Sequence, residues 1–224
     1  CLSILCDIME IDEYISSQID AEPPELHRLW RRAQFTRLYP RMCSGHAQGR
    51  LLAMLTRMIR PRRILELGTF TGYSALCFAE AMPDGARLHT VEINDEYADD
   101  LRELFASSPR GADIVLHIGD AEDVVPALAS EGPFDLVFID ANKRRYAACY
   151  RAVLPLTAPG GYIIADNTLW GEKVTDDAHA HDAQTLGIRE FNDLVAADTT
   201  VEKVIIPLRD GMTIIRKKTE QELL

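Results

Sequence analysis

From residue 62 onward the chain alternates short apolar runs with amphipathic stretches, and this rhythm narrows the fold more than any other feature. The runs are Ile64-Leu65-Glu66-Leu67, Leu88-His89-Thr90-Val91, Ile114-Val115-Leu116-His117-Ile118, Leu136-Val137-Phe138-Ile139 and Tyr162-Ile163-Ile164-Ala165. Helical spacing falls between them, at about 72–82, 95–107, 121–130, 144–154 and 183–197. A strand that must return parallel to its neighbour needs a crossover, so this alternation predicts a parallel sheet covered on both faces. The last section breaks the rhythm. Residues 201–206 and 212–216 flank Pro207-Leu208-Arg209-Asp210-Gly211 and read as two strands joined by a tight Asp-Gly turn. The expected fold is therefore α/β, a doubly wound, mostly parallel seven-stranded sheet with a C-terminal antiparallel hairpin. Extra N-terminal helices are expected at 7–20 (Ile8, Ile11, Ile15, Ile19), at 24–38 (Leu26, Leu29, Trp30, Leu38) and at 47–59, the last stopping before Pro61.

A length of 224 residues suits one domain, with residues 1–60 as its N-terminal helices and 62–217 as its core. The 24 basic and 35 acidic side chains give a formal charge of −11, which argues against a general nucleic-acid binder, because a phosphate backbone is gripped by clustered positive charge. No apolar run approaches the roughly 20 residues that span a bilayer. The first ten residues lack a positive leader and meet Asp7 and Glu10, so no signal peptide is expected. Cys1, Cys6, Cys43, Cys77 and Cys149 are odd in number and form no C-x-x-C pair, which predicts reduced thiols in a cytoplasmic protein.

Ligands of open α/β sheets bind beyond the carboxyl ends of the strands. Each apolar run has an acid there: Glu66, Glu92, Asp120, Asp140 and Asp166. Acids make up 35 of 224 residues, about one in six, so five from five points to a shared ligand site. Taken singly, each acid has a plainer reading, because Asp leaving a strand often caps the next helix. The first strand-to-helix turn, Glu66-Leu67-Gly68-Thr69-Phe70-Thr71-Gly72-Tyr73-Ser74, lets backbone approach a ligand at Gly68 and Gly72. It is not G-x-G-x-x-G, since Phe70 stands in place of the second glycine, and no Lys-Ser or Lys-Thr follows Gly72 to make a P-loop. Glu66 would repel a phosphate. It suits a cation, such as the amino group or sulfonium of S-adenosylmethionine. Glu92 is placed for a pair of ribose hydroxyls, and Asp120-Ala121 for the adenine.

Asp140, Asp166 and Asn167 form the second constellation. Two carboxylates and an amide carbonyl are hard oxygen donors, suited to Mg²⁺, with Mn²⁺ and Ca²⁺ as further candidates, rather than to zinc. Lys143 follows Asp140 by three residues. Such a lysine is ordinarily a solvated surface charge, but beside a dication its pKa would fall toward that of a base.

Together these motifs resemble the cation-dependent O-methyltransferases, the class I family of the catechol and caffeoyl-coenzyme A O-methyltransferases. The resemblance runs from about residue 42 to 217. It rests on the Glu66–Ser74 turn, Val91-Glu92, Gly119-Asp120-Ala121, Phe138-Ile139-Asp140-Ala141-Asn142-Lys143, Asp166-Asn167-Thr168-Leu169-Trp170 and Arg209-Asp210-Gly211-Met212-Thr213, in that order. It implies a Rossmann-like core that uses S-adenosylmethionine and a divalent cation. Met42, Cys43, Glu66, Gly68, Thr69, Ser74, Glu92, Ile93, Asp120, Ala121, Asp140 and Asn142 would line the cofactor site. Asp140, Asp166 and Asn167 would hold the metal. Lys143 would be the catalytic base, and Lys143, Trp170 and Asp210 would meet a small aromatic substrate with vicinal hydroxyls. It also implies a homodimer. Three positions depart from the pattern: Gln48 replaces a common Glu, Asn142 a frequent Asp, and Gly171 a substrate-contacting Asn of plant members.

Other readings compete. Arg28, Arg31, Arg32, Arg37 and Arg41 are interleaved with Trp30, Phe35 and Tyr39, and Arg60, Arg62, Arg63, Arg144 and Arg145 add charge. They read as a solvated face or as a clamp for an anionic substrate tail. Transfer RNA is the rival substrate of the same family, and the acid surplus opposes it. An NAD-dependent oxidoreductase is the alternative from another class, opposed by the missing glycine and by Glu66. Trp170 reads equally as pocket wall or core. His179 and His181 among Asp176, Asp177 and Asp182 read as a mobile polar lid rather than a metal site.

Overall fold

The computed structural model describes residues 11–224, and its strands join in one twisted sheet. They are β1 (Arg63–Leu67), β2 (Arg87–Glu92), β3 (Ile114–Ile118), β4 (Phe134–Ile139), β5 (Thr157–Asp166), β6 (Val201–Ile206) and β7 (Met212–Lys217). The order across the sheet is β3-β2-β1-β4-β5-β7-β6. The first five pair in parallel, while β7 runs antiparallel to both β5 and β6. The helices are α1 (Ile11–Gln18), α2 (Pro24–Thr36), α3 (His46–Ile59), α4 (Tyr73–Ala81), α5 (Ala98–Ser107), α6 (Ala121–Ala127), α7 (Tyr146–Val153) and α8 (Ala183–Ala197).

Side chains of a strand point alternately to its two faces. On β1, Ile64 enters a core with Leu26 of α2, Leu52 of α3 and Phe78 of α4. Leu65 and Leu67 enter the opposite core with Val125 of α6, Tyr146 and Tyr150 of α7, and Phe191 of α8. Both faces are dry, which is why these strands read as continuous apolar runs rather than as alternating ones. The chain winds outward in both directions from β1 and β4, so the order of connection reverses between these two strands. That crevice is where an open sheet of this kind takes its ligand.

Three details differ from the sequence reading. The predicted start of the first helix, Ile8, and the thiols of Cys1 and Cys6 lie outside the described residues. In the described part, α1 keeps its apolar spacing but buries none of its residues. Periodicity decides which residues share a side of a helix, not whether another element covers that side. Secondly, α2 stops at Thr36 and leaves Leu38 exposed, because Tyr39 precedes Pro40 and a residue before proline is pushed out of helical geometry. Thirdly, the tight turn between the last two strands is not centred on Asp-Gly, although the strands and the connection fall where expected. Ile206 pairs with Met212, so five residues intervene. The turn is centred on Arg209 and Asp210, with Gly211 N–H donating to Leu208 O at 2.9 Å and Arg209 at φ +50°. A Cβ at Gly211 would run into Leu169, which is what the glycine is for.

No helix among the described residues is long and apolar enough to cross a membrane. Cys43, Cys77 and Cys149 are free and buried. Burial pushes the Cys77 thiol far up and that of Cys149 up to about 11, so both are inert packing residues.

Candidate active site

The ends of β1 and β4 meet at Gly68, whose φ is +101°. A side chain there would collide with the backbone carbonyl of Asp140, so only glycine lets the two strand ends close up. Two positions before it, Glu66 is fully buried. Its Oε2 accepts from Thr90 Oγ1 at 2.5 Å, and Thr69 Oγ1 lies 2.6 Å from that same hydroxyl. A hydroxyl has one proton to give, so with Thr90 donating to Glu66, Thr69 must donate to Thr90. Glu66 Oε1 makes no hydrogen bond of good geometry, though the Ser74 hydroxyl lies close enough to favour the ionised carboxyl. Burial pushes this carboxyl up to about 8; Ser74 and Thr90 offset the shift in part, while Asp140 and Glu92 add to it. Ser74 in turn lines a narrow cleft with Met42, Cys43, Gly68, Thr69, Phe70 and Asp140. A buried oxygen without a well-aligned donor is costly. A cationic amino group beside Glu66 would supply both the donor and the countercharge.

Glu92 is also buried, but its oxygens are occupied. Oε2 accepts from Phe70 N at 2.7 Å and Oε1 from Asn94 N at 2.8 Å. One lone pair on each oxygen remains for a ligand hydroxyl. Ile93 beside it is exposed. Asp120 and Asn142 also serve as helix caps. Asp120 Oδ1 caps α6 by accepting from Glu122 N at 2.9 Å, and Asn142 Oδ1 accepts from Arg144 N at 3.2 Å. Ala121 opens α6 behind its cap.

On the other side of Asp140 runs a chain of charge-assisted bonds. Lys143 Nζ, buried, donates to Asp140 Oδ1 at 2.6 Å and to Tyr146 OH at 2.7 Å. Tyr146 OH donates on to the backbone carbonyl of Asp166 at 2.9 Å. Burial and the nearby Asp140 and Asp166 hold the Tyr146 phenol far above its ordinary pKa, so it stays a donor. Asp166 is 4% exposed. Its Oδ1 accepts from Asn167 N at 2.8 Å and its Oδ2 from Gln48 Nε2 at 2.6 Å. Burial first, and the proximity of Asp140 second, push its carboxyl up to about 6. Asn167 holds a left-handed backbone, φ +57°. Asp140 and Asp166 thus share one rim, with Lys143 and Tyr146 strung between them. Among the described residues no group of three or more His, Cys, Asp and Glu side chains is arranged to hold a metal. The set here is two carboxylates and an amide, and the buried Asp166 with the half-buried Asp140 fits a hard cation by charge and donor type.

Trp170 is placed on the core side of its two readings. It packs partly buried on the α7–α8 core, and its ring centre lies 6.0 Å from Lys143 Nζ. The carbonyl of Asp210 accepts from Leu169 N at 2.7 Å and Trp170 N at 3.2 Å, so Asp210 holds this loop by its backbone while its side chain stays exposed. The 175–182 segment is polar and mostly exposed, and is anchored at its start. Arg189 ties it down through the carbonyls of Lys173, Val174 and Asp176 at 3.3, 3.0 and 2.8 Å, and Asp176 and Asp182 cap the turns that follow them. Of the predicted arginine clamp, Arg37 is drawn away to Asp100 at 2.7 Å and lies over the Tyr97 ring.

Sequence reasoning missed three residues of this site. Tyr146 carried a signal, a phenol three positions after Lys143 in an otherwise apolar helix. Gln48 was noticed only as a departure. Arg209 stood out only as part of the closing-hairpin motif; that its Nη1 reaches Gln48 Oε1 at 2.8 Å was not legible, because these partners lie 161 or more positions away.

Comparison with known proteins agrees with this geometry. Residues 14–218 match the O-methyltransferase family. A catechol O-methyltransferase of Niastella koreensis is 32% identical over 91% of this chain and 95% of its own length. A caffeoyl-CoA O-methyltransferase of Petroselinum crispum is 28% identical over 91% and 88%. Among solved structures, the O-methyltransferase TomG of Streptomyces achromogenes, in complex with S-adenosylmethionine, superposes with a TM-score of 0.86 at 33% identity, covering 93% of this chain and 96% of that one. An O-methyltransferase of Bacillus cereus with bound S-adenosylhomocysteine gives 0.86 at 29% identity, covering 93% and 97%. A family match over nearly the whole chain, on a sheet whose strand ends carry the expected acids, leads to one conclusion: this chain belongs to the O-methyltransferase family.

Proposed function

We propose that the chain transfers a methyl group from S-adenosylmethionine to one hydroxyl of a small aromatic with vicinal hydroxyls, assisted by a hard divalent cation, Mg²⁺ foremost. The observation that carries this reading is the pairing, on either side of Asp140, of an acid whose buried Oε1 lacks a hydrogen bond of good geometry and a lysine-linked pair of acids. Glu66 binds the amino group of the cofactor, and Glu92 offers its remaining lone pairs to the ribose. Asp140, Asp166 and Asn167 hold the cation. When bound, the cofactor supplies an electrophilic methyl on sulfonium, and the cation lowers the pKa of a coordinated phenol from its usual value of about 10. Lys143 is aimed by Asp140 and Tyr146 to accept the phenolic proton at Nζ. Trp170 flattens one wall against the aromatic ring. Much of the rate comes from holding the acceptor oxygen and the methyl in fixed relation.

The test is transfer of labelled methyl to catechol by the purified protein with Mg²⁺, beside parallel incubations with coenzyme A esters and transfer RNA. Label on catechol that disappears when EDTA is added is expected. Full turnover in EDTA would remove the cation from this account, and label on RNA alone would replace the acceptor.

A further inference from the structure

Gln48 lies in α3, on a different element from every residue proposed above to hold the cation, and is 1% exposed. Its Nε2 donates to Asp166 Oδ2 at 2.6 Å, and its Oε1 accepts from Arg209 Nη1 at 2.8 Å. A guanidinium can only donate and a carboxylate can only accept. An amide joins them in one orientation only, oxygen toward Arg209 and nitrogen toward Asp166, so the network itself assigns the amide. The same Arg209 Nη1 also donates to the backbone carbonyls of Ser44 and Cys43, which holds Arg209 in place. Asp166 is thereby gripped at both oxygens by donors on different elements, Gln48 Nε2 on one and Asn167 N on the other. Two such bonds fix the plane of the carboxylate.

We infer that Gln48, braced by Arg209, is a positioning residue that sets the orientation of Asp166 for cation binding. The inference rests on the proposed role of Asp166 as a ligand. It extends the metal centre to α3 and to the turn between β6 and β7, neither of which supplies a ligand. Groups that orient a metal ligand from behind are worth about 10–100-fold in metal affinity. A neutral amide does this without adding a third negative charge to the pair Asp140 and Asp166.

The experiment is Mn²⁺ titration of the full chain, read from the electron paramagnetic resonance of free Mn²⁺, with no substrate present. Gln48→Leu keeps the volume but removes both hydrogen bonds. It is expected to weaken Mn²⁺ about 10–100-fold. Gln48→Glu is the discriminating partner: it sets a carboxylate against Asp166, so it should melt lower than wild type in EDTA and regain more than the wild-type increment when Mn²⁺ is added. A purely structural glutamine would lower both melting temperatures and leave the Mn²⁺ affinity unchanged, which overturns the inference. Should Gln48→Leu fail to fold, Arg209→Met cuts the same relay from its other end and must also weaken Mn²⁺. A wild-type protein that takes up no Mn²⁺ overturns the cation reading itself. Tight wild-type binding that these variants leave untouched overturns only the role of Gln48.

Discussion

The two sides of the Asp140 crevice are assembled in different ways. On the side of β1, β2 and β3, Glu92 and Asp120 are satisfied by nearby backbone, while Glu66 depends on the Thr90 side chain of the neighbouring strand. Glu92 takes the N–H of Asn94, two residues on, and of Phe70 in the adjoining turn, while Asp120 takes that of Glu122. On the side of β4 and β5, Lys143 is also held locally, but Asp166 is reached by a side chain far away in sequence. Gln48 reaches Asp166 across 118 positions, and Arg209 reaches Gln48 across 161. The first side is built largely of local turns, each able to form wherever its strand ends. The second is complete only when α3, β5 and the final hairpin have all docked. Under the proposed function this is a separation of duties, with cofactor grip on the first, local side and acceptor activation on the second, assembled one.

If that separation is right, substitutions on the assembled side should strike turnover and spare cofactor affinity. The largest effect is expected for Lys143→Met, which removes the proposed base. General base catalysis is worth about 10²–10⁴-fold, so kcat should fall by that factor while S-adenosylhomocysteine still raises the melting temperature as in wild type. A Lys143→Met protein that no longer binds the cofactor product would erase the distinction.

Glu66→Gln probes the local side. Hydrogen bonds to charged groups contribute about 1.5–3 kcal/mol, so cofactor affinity should drop roughly 10–100-fold by calorimetry. It carries a pH signature as well. The folded carboxyl titrates at about 8, above its ordinary 4.5. Between those values the folded protein holds a proton that the unfolded chain has released, so this group's contribution to stability falls as pH rises through the window. Glu66→Gln should flatten the slope of ligand-free stability from pH 5 to 8. In wild type below pH 8, binding the cationic amino group should expel the Glu66 proton. Calorimetry in two buffers of different ionisation enthalpy would detect it, and a zero proton count at pH 7 would contradict the assignment.

Tyr146→Phe is a milder cut on the assembled side, since Lys143 keeps Asp140 as a partner. Loss of about 1–1.5 kcal/mol corresponds to roughly a tenfold fall in turnover. The smallest effect belongs to neither side. Asp182 caps α8 through Thr185 N and Oγ1, bonds that hold its carboxyl at about 2. Asp182→Ala should lower the melting temperature by about 2–4 °C with turnover kept. That stabilisation is present above the ordinary value of 3.8 and is lost as pH falls toward 2.

Sequence alone was enough for the alternation of strands and helices, the antiparallel ending, the acids at the strand ends and the glycine at the β1 turn. Each of these depends on near neighbours: periodicity along a strand, a φ that only glycine accepts, a donor two residues away. It could even place Asp140, Lys143, Asp166 and Asn167 at one rim, because parallel strands deliver their ends to the same edge. Tertiary structure decided the rest. It left α1 with its apolar side uncovered, and turned Gln48 from a departure into a link between Arg209 and Asp166. The reason is that periodicity and turn chemistry act over a few residues, whereas the company a buried carboxylate keeps is set by which distant elements pack against it.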